Sequence, residues 1–138
     1  MGETRTFVDS SVLISAARGT DEIAGEAFAV LDDPARTFVT TDFVRLEVLP
    51  KCMYFGHAKE AEFYQEFFKS AACIVPISDD LVSEAFSEAT NAGLSAVDAL
   101  HVAAAKEAQA DEFVTGEKPK RDLFRVSGLK LTSLRALR

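Results

Sequence analysis

Five short runs rich in β-branched and aromatic residues punctuate this sequence, and what lies between them follows a helical period. The runs are RTFVD (5–9), RTFVT (36–40), ACIVPI (72–77), DEFVT (111–115) and GLKLTSL (128–134). Between them fall SVLISAAR (11–18), DEIAGEAFAVLDD (21–33), a segment opening at Phe43, HAKEAEFYQEFFKSA (57–71), DDLVSEAFSEATNA (79–92) and SAVDALHVAAAKEAQA (95–110). In the second of these, Ile23, Ala27, Val30 and Leu31 recur at i, i+4, i+7 and i+8, the apolar stripe of an amphipathic helix. Strands separated by helices cannot pair through tight hairpins. They need crossover connections, which produce a parallel sheet covered on both faces and joined by right-handed crossovers. The expected fold is therefore a three-layer α/β/α domain spanning residues 1–138.

Local signals set the boundaries. Asp33-Pro34 ends the second helix. Thr41 or Asp42 caps the third, whose Phe43, Leu46 and Leu49 share a side, and Pro50 is expected to kink or break it. Ser78 caps the fifth, with Asp79 and Asp80 at the positive end of its dipole, and Gly93 stops it. Leu81, Ala85, Phe86 and Ala89 read as its buried stripe. The 138 residues are 48% apolar, enough for one core without disulfides or structural metal. Cys52 and Cys73 are too far apart for a CxxC pair and lie in apolar surroundings, so both read as buried thiols. No apolar run is long enough to span a bilayer, and MGETRTF lacks the features of a signal peptide, which places the protein in the cytoplasm without a membrane partner. The net charge of −7 excludes a basic coat for nucleic acid but not an enzyme that gathers its carboxylates around cations.

In open α/β sheets, ligands bind outside the carboxyl ends of the strands. Four acids fall on that edge. Asp9 ends the first strand. Glu47 lies about two turns into the helix leaving the second. Asp98 is in the first turn of the helix that leads into the fourth strand, so it starts from the same edge. Glu117 is two residues past Thr115, which ends the fourth strand. Each has an ordinary alternative. Asp9 is able to cap the first helix, as are Ser10 and Ser11. Glu47 has Lys51 at i+4. Ser95 and Asp98 have the spacing of a capping box. Glu117 suits a solvated loop. Together, clustered carboxylates repel one another unless a hard cation such as Mg²⁺ or Mn²⁺ joins them, and such a cation acts naturally on phosphates. His57 sits at a helix start, and His101, one turn after Asp98, reads as a packed histidine. No phosphate-cradling glycine loop is present.

FVDSSVLI with Asp9, RLEVLPK with Glu47, LSAVDALHVAAA with Asp98, and FVTGEKPKRDLF with Thr115 and Glu117 resemble, in that order, the motifs of the PIN domain, a metal-dependent ribonuclease fold. The chain looks most like the small VapC-type toxins of toxin–antitoxin pairs. The resemblance implies a five-stranded parallel sheet of order 3-2-1-4-5. It implies Mg²⁺ or Mn²⁺ held by Asp9, Glu47 and Asp98 with a fourth acid. Glu117 stands where the family usually has Asp, and Asp122 is a second candidate. Ser10 and Thr115 would orient carboxylates or water. Lys118, Lys120 and Arg121, with Arg45 as a weaker candidate, would hold RNA phosphates while water attacks the phosphodiester in line. The partners implied are RNA, a cognate antitoxin and a second copy in a homodimer. The antitoxin groove would lie between DEIAGEAFAVL and HAKEAEFYQEFF, near Phe63, Phe67 and Phe68. A PIN nuclease of RNA maturation or decay is the alternative. A metal-dead domain, or a receiver-like signalling domain in which Thr115 and Lys118-Pro119 take other roles, are more distant ones.

Overall fold

The computed structural model describes residues 3–119 and 121–136. Five parallel strands form one sheet: β1 (Thr4–Val8), β2 (Arg36–Thr41), β3 (Cys73–Val75), β4 (Glu112–Thr115) and β5 (Lys130–Ser133). Their order across the sheet is β3-β2-β1-β4-β5. Six helices connect them: α1 (Ser10–Arg18), α2 (Glu22–Leu31), α3 (Asp42–Tyr54), α4 (Ala58–Ser70), α5 (Asp79–Ala92) and α6 (Ala96–Glu107). A short 3₁₀ turn at Asp122–Arg125 precedes β5, where no element was expected. The strand order removes the receiver-like alternative, whose sheet runs 2-1-3-4-5.

The centre of the sheet is closed on both sides. Phe7 and Val8 are consecutive in β1 and point to opposite faces, yet neither is exposed. Phe7 aligns with Val39 of β2 and Phe113 of β4, and its ring stacks on that of Phe113 at 5.0 Å. Phe113 and Val114 are buried in the same way. This is the signature of parallel strands covered by helices on both faces.

Local chemistry explains most boundaries. Thr41, not Asp42, caps α3, accepting from the Phe43 and Val44 amides. Ser78 caps α5 by accepting from Leu81, and Gly93 ends that helix at φ +69°, in the left-handed region that suits glycine. Three details differ from expectation. Helix α3 is not broken at Pro50 but runs through it. Proline lacks the N–H that would meet the Leu46 carbonyl, but Leu46 lies on the exposed side of α3, where water can serve that carbonyl. Burial of Val44, Val48, Leu49 and Cys52 on the other side holds the helix together. β3 is three residues, shorter than ACIVPI suggests, because it is an edge strand and Pro76 cannot extend its ladder. Phe86 is 75% exposed rather than part of the α5 stripe, which is Leu81, Ala85 and Ala92. Cys52 is buried as expected, whereas Cys73, on the edge strand, is only partly so. Among the described residues, no helix is long and apolar enough to cross a membrane.

Candidate active site at the carboxyl edge of the sheet

β1 and β4 end side by side, and the side chains just past their ends are tied together. Asp9 follows β1 directly and is 4% exposed. It is the N-cap of α1: its Oδ1 accepts from the Ser11 amide at 3.1 Å and from the Ser11 hydroxyl. Capping therefore belongs to Asp9 and not to Ser10 or Ser11, and it leaves the carboxylate at the sheet edge. Its other oxygen, Oδ2, accepts from the Thr115 hydroxyl at the end of β4, at 2.6 Å. Thr115 is wholly buried, and its Oγ1 accepts in turn from the Glu117 amide at 3.0 Å. Ser11 Oγ accepts from the Gly116 amide at 2.8 Å. A Cβ at position 116 would stand 3.0 Å from that hydroxyl, so glycine permits the close approach. Ser11, and not its neighbour Ser10, is thus the serine that orients Asp9.

Burial pushes the Asp9 carboxyl above its ordinary 3.8, against the opposing pull of hydrogen bonds from Ser11 and Thr115 and of nearby His101.

The second cluster joins α3 to α6. Glu47 Oε1 lies 2.7 Å from His101 Nε2, so its partner is His101 and not Lys51. The Glu47 side chain is 33% exposed, while that of His101 is 2% exposed. The imidazole packs against Phe7 of β1 with ring centres 5.5 Å apart. Asp98 lies three residues before His101 and so neighbours it on the surface of α6. Only half of the expected capping box forms: Ser95 Oγ accepts from the Asp98 amide at 3.3 Å. The half-buried Asp98 carboxylate has no hydrogen-bond or ion-pair partner among the described residues. Three acids thus surround His101, a residue that sequence reasoning set aside as packing. Its spacing from Asp98, in a helix otherwise made of Ala, Val and Leu here, was the available signal.

The remaining candidates are looser. Glu117 is exposed, with Arg121 Nε 3.9 Å from its carboxylate. Asp122 pairs with Arg125 at 3.3 Å, whereas the Glu117 amide bonds Thr115, the residue that donates to Asp9. Lys118 and Arg121 are exposed beside it, and Lys120 lies outside the described residues. Arg45 pairs with Asp42 at 3.0 Å and covers the Phe68 ring at 5.5 Å. Among the described residues, no three His, Cys, Asp or Glu side chains are gathered closely enough to hold a metal ion. Asp9 is turned toward Ser11 and Thr115, Glu47 toward His101, and the Glu117 carboxylate toward Arg121. Their chemistry still fits a hard cation, since Mg²⁺ keeps several waters and commonly takes only one or two carboxylates directly.

A separate pocket of about 270 Å³ opens between α2, β2 and α4, lined by Phe28, Leu31, Phe38, Phe63 and Phe67. None of the four acids is in its wall. Phe28 and Phe63 face each other at 6.3 Å, whereas Phe68 is buried in the core.

The sequence matches the family model of the PIN domain over residues 6–121. No curated protein is significantly similar in sequence. Solved structures are similar in fold. A toxin–antitoxin complex from Klebsiella pneumoniae aligns with a TM-score of 0.69 at 18% identity, over 94% of this chain and 97% of that one. VapBC2 from Rickettsia felis, bound to a DNA fragment from its promoter, aligns at 0.64 and 15% identity, over 94% and 98%. VapC20 from Mycobacterium tuberculosis, a sarcin–ricin loop cleaving toxin, aligns at 0.62 and 17% identity, over 80% and 87%.

Proposed function

The chain belongs to the PIN-domain family, and from that premise we propose that it is a divalent-cation-dependent endoribonuclease working at the acidic edge of its sheet. The observation that carries this reading is Asp9: a buried carboxylate at the end of a central strand, held by two hydroxyls, whose burial works against its own negative charge. Asp9, Glu47 and Asp98, with Glu117 as the fourth acid, are the residues that would hold Mg²⁺ or Mn²⁺. When bound, such a cation lowers the pKa of water and offsets charge on a phosphodiester. Thr115 and Ser11 fix the direction of the Asp9 oxygens, leaving little to reorganise when substrate arrives. Lys118 and Arg121 beside Glu117, together with Lys120, supply positive charge for RNA phosphates on a chain whose net charge is −7, and Arg45 is a weaker contributor.

Likeness in fold to VapBC2 and VapC20 supports the toxin of a toxin–antitoxin pair over a nuclease of RNA maturation. An antitoxin helix would lie in the pocket between α2 and α4, where Phe28 and Phe63 are available to it. Val82 and Phe86, four residues apart on α5 and both exposed, are what a second copy would bury in a homodimer. The test is cleavage of RNA in Mg²⁺ or Mn²⁺ by wild type, Asp9→Asn and Asp98→Asn. Cleavage by wild type alone is expected. Retained cleavage in both variants would remove the site.

A further inference from the structure

We infer that His101 is the positioning residue of this site: through Nε2–H it holds the Glu47 carboxylate of α3 against α6, beside Asp98. The inference deepens the proposed cation site and rests on that reading. Three observations carry it. The Nε2 to Oε1 distance of 2.7 Å is that of a charge-assisted hydrogen bond. The ring cannot swing away, because its side chain is buried and packed on Phe7, itself stacked on Phe113. Finally, Nδ1 is buried without a hydrogen-bond partner.

The last point separates a positioning histidine from a packing one. Buried polar groups are normally satisfied, and a histidine kept only for the core would be expected to use both nitrogens. Here the one bond made is to Glu47. An ionised carboxylate can only accept, so the shared proton sits on Nε2. Without this bond, Glu47 is a partly exposed side chain with three rotatable torsions. With it, one carboxylate oxygen is fixed and the other stays available to a ligand.

The test combines variants with a measurement on wild type. Mn²⁺ affinity is measured by calorimetry for wild type, His101→Leu, His101→Gln and Glu47→Gln. Loss of a group that orients a metal ligand typically weakens affinity by about 10–100-fold. His101→Leu is expected to show such a loss, and His101→Gln, which keeps an N–H at similar reach, to recover most of it. Adding His101→Leu to Glu47→Gln is expected to bring no further loss. A purely structural role would lower the melting temperature without this pattern. Wild-type affinity in folded His101→Leu would overturn the inference. Imidazole ¹⁵N spectra of wild type need no variant to fold. A protonated Nε2 whose signal moves in Glu47→Gln is expected, and an unprotonated Nε2 would overturn the inference. Failure of wild type to bind Mn²⁺ would count against the cation reading of the site, while the ¹⁵N spectra would still decide whether His101 donates to Glu47.

Discussion

Replacing Thr115 with valine removes one hydroxyl and almost no volume, and that hydroxyl is the link between Asp9 and the end of β4. Thr115 is wholly buried, so no solvent stands ready at its side chain. The bond lost is a 2.6 Å donation to Asp9 Oδ2, in an acid that is itself 4% exposed. Hydrogen bonds to charged groups contribute about 1.5–3 kcal/mol. The second bond, donated by the Glu117 amide at 3.0 Å, is part-buried and is lost as well. Near neutral pH, Thr115→Val should therefore destabilise the metal-free protein by about 2 kcal/mol, or roughly 4–10 °C in melting temperature for a domain of this size. The deficit should narrow in acid. The Thr115 bond is one of the contributions that lower the Asp9 carboxyl, so the variant's folded state takes up its proton more readily as pH falls. Thermal unfolding in EDTA at pH 7 and pH 4 measures both effects. An unchanged melting temperature at pH 7 would refute the claim that the Thr115 hydroxyl holds Asp9 at the end of β4.

Three further outcomes follow from named contacts. Because burial raises the folded-state pKa of Asp9 above 3.8, its stabilising contribution is fully present below 3.8 and is lost as pH rises through the folded value. Urea unfolding in EDTA should then show wild type losing stability relative to Asp9→Asn between pH 4 and pH 7. Glu112, at the opposite edge of the sheet, has the reverse sign. Burial pushes its carboxyl up, but hydrogen bonds from Thr132 and Arg36 and the charges of Arg36 and Lys130 outweigh that and leave it below 4.5. Its contribution is present above 4.5 and lost as pH falls through the lowered value. Glu112→Ala removes the 2.7 Å partner of Arg36, which keeps Asp33 at 3.3 Å and the Thr6 hydroxyl, and should cost about 1.5–3 kcal/mol by urea unfolding at pH 7. Gly93→Ala forces a side chain into φ +69° with Arg125 Nη2 2.9 Å from the new Cβ, and should cost about 1–2 kcal/mol by the same measurement.

What the sequence made legible was local or topological. Ser78 and Gly93 mark the ends of α5 because one hydroxyl and one left-handed residue suffice for each. Asp9, Glu47, Asp98 and Glu117 could be assigned to one edge because a helix must start where its strand stops. The strand order came from the family resemblance, since periodicity says nothing about which strands are neighbours. What stayed hidden depends on packing and helical phase. Successive helical residues point about 100° apart, so Ser10 and Ser11 look equivalent in sequence, yet only Ser11 bonds Asp9. His101 reads as core because it is core. Its bond to Glu47 spans 54 residues and exists only once α3 and α6 meet. The burial of Phe86 and the break at Pro50 fail for a related reason: exposure on a folded helix, not residue type, decides what each does.

The central claim is that the edge headed by Asp9 is a divalent-cation site. Calorimetric titration with Mn²⁺ of wild type and Asp9→Asn addresses it without requiring the RNA substrate to be known. Saturable binding by wild type, weakened at least about tenfold in Asp9→Asn, is the expected result. Equal affinity in the two proteins would place the cation elsewhere and contradict the account.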